Sequence, residues 1–158
     1  MEKISDQEKI RFRIPGDNRY LFLVRTVVTA LARASGFPDD EVDKIEIAVD
    51  EACTNVLDHA YRDVFPKPPI DIEIHTDEER FVIDVIDHGL SFDFSAYVPP
   101  KFPDHWIKGQ TRGVGLYLIQ QCMDTTEYEQ MADNMNRFRL VKKIGKADRA
   151  EANAGVTS

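Results

Sequence analysis

Three groups of residues in this 158-residue chain have types and spacings that can do chemistry. Glu51, Asn55, Asp58 and His59 fall at i, i+4, i+7 and i+8, so on a helix they project from one side within about two turns. Asn55 offers a neutral oxygen, a hard ligand that suits Mg²⁺ when the rest of the metal's shell is water and phosphate. One turn away, Glu51 would sit beside that metal, where a carboxylate can orient or deprotonate a hydroxyl or water attacking a terminal phosphate. Asp87-His88-Gly89 follows a strand-like run; there Asp87 can accept a hydrogen bond from the exocyclic amine of adenine, while Gly89 lets the backbone approach the base. Gly113-x-Gly115 opens a helix-like run, where free N–H groups and the helix dipole favour a phosphate. It lacks the third glycine of a Rossmann turn and the Gly-Lys-Ser/Thr of a P-loop. Taken singly, each group has an ordinary reading as a solvated helix face, a tight turn or a helix start.

The elements that must position these residues are legible in the periodicity. Ile10, Phe12 and Ile14 alternate with Arg11 and Arg13, a half-buried strand ended by Pro15-Gly16. Asp17 or Asn18 caps a helix with apolar positions Leu21, Val24, Val28, Leu31 and Ala32, which stops at Gly36. A second helix begins near Asp39 with an acidic first turn. Its stripe of Val42, Ile45, Val49, Ala52 and Val56 faces a core, and its other side carries Glu51 to His59. Beyond Pro66, Pro68 and Pro69, the alternation of Ile70, Ile72 and Ile74, then of Phe81, Ile83 and Val85, predicts an antiparallel hairpin. Phe94 to Arg112 shows no clean period and holds Pro99, Pro100, Pro103 and Trp106; a segment of that length reads as a binding loop or lid, or as a plain surface excursion. Val114 to Met123 is a third helix. Thr125 to Glu129 and Arg137 to Ile144 are strands about a turn near Asp133-Asn134. The order β-α-α-β-β-lid-α-β-β implies an α+β protein, a two-layer α/β sandwich with helices on one face of a mostly antiparallel sheet.

Length supports one domain, residues 1–146, with a polar, small-residue tail over 147–158 expected to be flexible. No run approaches the ~18 apolar residues needed to span a bilayer, and the charged start at Met1 to Lys9 has no signal-peptide core. The expected location is the cytoplasm, without a membrane partner. A formal charge of −8 argues against direct nucleic-acid binding. Cys53 and Cys122 lack the paired spacing of a zinc site and read as small buried hydrophobes. At the end of the second helix, His59 reads as a packed or capping histidine rather than a catalytic one.

Taken together, Glu51-x-x-x-Asn55-x-x-x-His59-Ala60-Tyr61, then Asp87-His88-Gly89 with Phe92-Asp93, then Arg112-Gly113-x-Gly115-Leu116, resemble the N, G1 and G2 boxes of the GHKL ATPases, most nearly the bacterial anti-sigma-factor serine/threonine kinases. The resemblance runs from about Lys9 to Ile144. It implies the Bergerat ATP-binding fold, with Glu51 as the catalytic glutamate, Asn55 as the Mg²⁺ ligand, and Asp87 and Gly89 at the adenine. It also implies a phosphate loop of Gly113, Gly115 and Leu116, to which Lys108 and Arg112 are added on charge and position. The second glycine of the G1 box is replaced by Ser91. By the same resemblance, the protein would transfer the γ-phosphate of ATP to an anti-anti-sigma (STAS-domain) protein, hold a sigma factor when that partner is phosphorylated, and form a homodimer. An ATPase, or a nucleotide-dependent binding module without phosphoryl transfer, stays open as an alternative.

Overall fold

The computed structural model describes residues 9–101, 113–146, 148, 150 and 154. Its described strands form one antiparallel sheet in the order β1-β2-β3-β5-β4, from Ile10–Ile14 (β1), Ile70–Thr76 (β2), Arg80–Asp87 (β3), Thr125–Gln130 (β4) and Asn136–Lys143 (β5). Strands β2 and β3 form the expected hairpin. Asp77 closes it by accepting from the N–H groups of Glu79 and Arg80 at 2.8 and 2.7 Å. At the β4–β5 turn, Asp133 and Asn134 take φ of 62° and 56°, the left-handed region that short polar side chains tolerate best after glycine.

Helices α1 (Leu21–Ala34), α2 (Asp39–Asn55) and α3 (Val114–Cys122) supply the second layer. The alternating Ile70, Ile72, Ile74, Phe81, Ile83, Val85, Phe138 and Leu140 meet Val24, Val28, Val42, Ile45, Val49 and Ile119 in one core. Helix α2 lies against both α1 and α3, and its apolar stripe is fully buried. Gly36, at φ 94°, turns the chain out of α1.

The far side of the sheet is charged but not uniformly solvated. Arg13 pairs with Asp71, Arg11 with Glu73, and Arg139 makes a two-point pair with Asp84 at 2.8 Å through each nitrogen. Asp84 and Arg139 are buried there, because each satisfies the other's hydrogen-bonding capacity. Both cysteines are free and buried, as expected. Beyond Gly145, the described residues Lys146, Asp148, Ala150 and Ala154 have helical backbone. Among the described residues, no helix is long and apolar enough to cross a membrane.

Candidate functional site

The C-terminal half of α2 is where the three sequence motifs meet. The helix keeps α geometry through Asn55 and then widens into a π turn over Val56–Ala60, closed by the Tyr61 N–H donating five residues back to the Val56 carbonyl at 2.9 Å. Such single wide turns are uncommon and concentrate at functional sites. The wider turn interrupts the regular spacing from Glu51 to His59. Asp58 still lies close enough to act on the Glu51 charge; His59 is exposed in the last turn, so of the packed or capping histidine expected, the packed alternative does not hold.

Glu51 and Asn55 point at the start of α3. A Cβ placed on Gly115 would stand 2.8 Å from Glu51 Oε2 and 3.4 Å from Asn55 Oδ1. One carboxylate and one amide oxygen therefore converge on the first turn of a helix whose opening residue, Gly113, has φ 82° and provides no side-chain cap. The Tyr117 N–H bonds back to the Gly113 carbonyl, while the amides of Val114, Gly115 and Leu116 belong to the orphan donors of the first turn. Leu116 itself is partly buried against the core, so its side chain anchors α3 and only its backbone N–H can serve a ligand. Tyr97 closes the same corner, donating from its hydroxyl to the Gly113 carbonyl at 3.2 Å.

Burial chiefly, then the Asp50 and Asp58 charges, raise the Glu51 pKa above the ordinary carboxylate value. Asp50 is drawn off toward Arg25, which donates to it at 2.5 Å. A carboxylate made more basic in this way is better matched to taking a proton near neutral pH. The donor set of one neutral amide oxygen and one adjacent carboxylate oxygen fits a hard divalent cation that takes its remaining ligands from phosphate and water.

The G1 segment is bound to the same helix end. Tyr61 is fully buried; its hydroxyl donates to the Pro69 carbonyl at 2.9 Å and accepts from the His88 N–H at 3.0 Å. Burial pushes its phenol up to about 12, so it stays a neutral donor. The Leu90 N–H donates to the Ala60 carbonyl at 3.0 Å. Lys67 caps the helix end, donating to the Leu57 and Tyr61 carbonyls at 2.5 and 3.1 Å. Gly89 is required by this packing. A Cβ there would lie 2.4 Å from the Ala60 carbonyl oxygen and 2.8 Å from the Tyr61 ring. The glycine thus makes room for the helix end, a reason different from the base contact expected from sequence.

Asp87, at the end of β3, is buried. Its Oδ1 accepts from the Gly89 N–H at 2.8 Å and from Asn136 Nδ2 at 2.9 Å. Its second oxygen has no partner among the described residues and is available to an amine. Asn136 was not singled out from sequence, nor was the role of Tyr61. The signal for Asn136 was an amide at the head of a strand, where such a residue is disfavoured. Lys108, Arg112 and Trp106, with most of the expected lid, lie outside the described residues.

Comparison with known proteins identifies the family and the fold. The histidine kinase-like ATPase domain family matches residues 14–142. Serine-protein kinase RsbW of Halalkalibacterium halodurans is 33% identical over 132 residues, spanning 81% of this chain and 80% of the relative. The protein of the same name from Bacillus cereus strain AH187 is 35% identical over 124 residues, 74% of each chain. Among solved structures, the fold resembles the RsbU and RsbW domains of Rv1364c from Mycobacterium tuberculosis, with TM-score 0.59 and 15% identity over 86% of this chain and 32% of that one. It also resembles the SiaB–SiaC complex from Pseudomonas aeruginosa, with TM-score 0.57 and 15% identity over 85% of this chain and 89% of that one.

Proposed function

This chain belongs to the histidine kinase-like ATPase family, and from that premise we propose that it is an ATP-dependent protein serine/threonine kinase acting on a small regulatory protein. The observation that carries the reading is the convergence of Glu51 and Asn55 on the uncapped, glycine-opened start of α3. Asn55 would hold Mg²⁺, which would supply positive charge against the phosphates of the nucleotide. The Val114, Gly115 and Leu116 amides would receive phosphate oxygens at the helix start. Asp87 would accept from the adenine amine through its second oxygen. Glu51 would orient the acceptor hydroxyl and take its proton as the oxygen attacks the terminal phosphorus and the bond from that phosphorus to the β-phosphate oxygen breaks, releasing ADP, and its raised pKa suits that task.

On the same family resemblance, the acceptor is a STAS-domain anti-anti-sigma protein, the second partner is a sigma factor, the protein pairs with a second copy of itself, and it works in the cytoplasm. The test is incubation with γ-labelled ATP, magnesium and STAS proteins from the same genome. Label on a STAS serine or threonine supports the kinase. Label in free phosphate alone would make the protein an ATPase, and retention of all label on ATP would leave a binding module. Glu51→Gln should still bind Mg-ATP but lose about 10²–10⁴-fold in transfer rate, whereas Asn55→Ala should already fail at Mg-ATP binding. Wild-type transfer by Glu51→Gln would remove the catalytic assignment.

A further inference from the structure

Strand β5 begins with Asn136, in register opposite Asp87, the last residue of β3. Asn136 is 2% exposed, and both ends of its amide are engaged. Nδ2 donates to Asp87 Oδ1 at 2.9 Å and to the Gly89 carbonyl at 3.0 Å, while Oδ1 accepts from the Ser91 hydroxyl at 2.9 Å. Only one orientation of the amide satisfies these contacts. Flipped, its oxygen would face both the Asp87 carboxylate and the Gly89 carbonyl, two acceptors against an acceptor.

We propose that Ser91 and Asn136 act together as positioning residues that aim the Asp87 carboxylate, and thereby set selectivity for a purine nucleotide bearing an exocyclic amine. The inference rests on the reading that Asp87 binds the adenine of ATP. With Oδ1 held by the Gly89 N–H and by Asn136, the plane of the carboxylate is fixed and Oδ2 is the acceptor left for the base. Ser91 secures the amide from behind. It also explains how this chain manages without the second glycine of the G1 box: the segment from Asp87 to Phe92 is stitched to the sheet instead of being left to backbone freedom. Its tethers are the Gly89 carbonyl, the Ser91 hydroxyl and the Phe92 N–H, which donates to the Tyr128 hydroxyl at 2.9 Å. Neither residue need touch the nucleotide; each acts through Asp87.

The experiment compares ATP with purine riboside triphosphate, which lacks the 6-amine, and with GTP, in wild type, Ser91→Ala and Asn136→Ala. Binding is read by titration, transfer by labelled phosphate, and folding by thermal melting. Wild type should prefer ATP over the amine-less analogue. Asn136→Ala should lose most of that preference, with KM for ATP rising about 5–50-fold, the range expected when a buried charge-assisted hydrogen bond is removed, and rising more than kcat falls. Ser91→Ala, a change at an exposed loop residue that leaves the core untouched, should lose about 2–5-fold in the same ratio, so the proposal can be tested even where Asn136→Ala folds poorly. A general structural role would instead lower melting and kcat and leave the ratio alone. An unchanged ATP-to-analogue ratio in a folded Ser91→Ala and Asn136→Ala overturns the proposal. Failure of wild type to bind ATP at all would overturn the nucleotide reading first and this inference with it.

Discussion

Gly115→Ala isolates the contact between the central helix and the phosphate helix. The added methyl carbon would fall 2.8 Å from Glu51 Oε2, and an ordinary contact near 3.4 Å requires the carboxylate to retreat by about 0.6 Å. Asn55 Oδ1, at 3.4 Å, need not move. Because the carboxylate is the end of a flexible side chain, it swings aside rather than disrupting the helices. No left-handed φ is required at Gly115, and alanine is the better helix former by up to about 1 kcal/mol. The variant should therefore melt no lower than wild type. Displacements of about 1 Å in a catalytic group cost up to about 10²-fold, so kcat should drop by roughly 10–100-fold, with Mg-ATP affinity within a few-fold of wild type. A double-mutant cycle sharpens the test: in a Glu51→Gln background, Gly115→Ala should add little further loss, since the group it displaces is already gone. Transfer at the wild-type rate would refute the reasoning. So would a collapse of Mg-ATP binding with the residual rate intact, which would give Gly115 a role in admitting phosphate and not in placing Glu51.

Asp87→Asn should keep the fold, since the new amide can present its oxygen to the Gly89 N–H and Asn136. Its NH₂ then faces the adenine amine, and titration should show ATP binding weakened by about 1–3 kcal/mol, some 5–150-fold. Tyr61→Phe leaves the Pro69 carbonyl and the His88 N–H without their partner; melting should reveal about 1–3 kcal/mol of destabilisation, together with a higher KM for ATP as the G1 segment loosens. The raised Glu51 pKa, caused by burial and then by Asp50 and Asp58, predicts that transfer declines on the acid side at a higher pH than an ordinary carboxylate would give. The same group contributes relative stability when protonated, and that contribution is lost as pH rises through its folded-state value. In the nucleotide-free protein, Glu51→Gln should therefore match wild type in melting at low pH, gain on it as pH rises from the ordinary carboxylate value through the raised folded-state value, and keep a constant margin above. Parallel melting curves across the whole pH range would contradict the assignment of an unfavourable Glu51 charge.

Most of the fold was legible because periodicity reports burial directly. Period-two runs from Phe12, Ile70, Phe81 and Phe138 and the stripe from Val42 to Val56 follow from the core between sheet and helices, whereas the burial of Val82, Asp84 and Arg139 on the other face of the sheet is not part of that pattern. Glu51, Asn55, Gly113 and Gly115 were legible as candidates because their chemistry is local to a helix turn or a helix start. What escaped depends on contacts between distant segments. The π turn at Val56–Ala60 has no sequence signature. Tyr61 looked like the end of a motif, yet its hydroxyl bridges two loops that only the folded sheet brings together. Gly89 was recognised as a place where a side chain would not fit, and the close approach that the fold itself makes there is to Ala60 and Tyr61.

These features explain why one helix can organise the whole site. Up to Asn55 the α register holds Glu51 and Asn55 toward the glycines of α3, where phosphate chemistry belongs. From Val56 the turn takes up an extra residue, so the Ala60 carbonyl and the Tyr61 hydroxyl meet the segment after β3, where the base would lie. Had the α register continued, the positions after Asn55 would have kept turning on the tighter period, and the closing bond from Tyr61 to Val56 would not exist. The change of register therefore joins the two halves of the proposed nucleotide site through one helix end. The unfavourable Glu51 charge is tolerated inside that arrangement because α2 is anchored on its other side by a fully buried stripe. Stability comes from one face of the helix, and the proposed chemistry lies on the other.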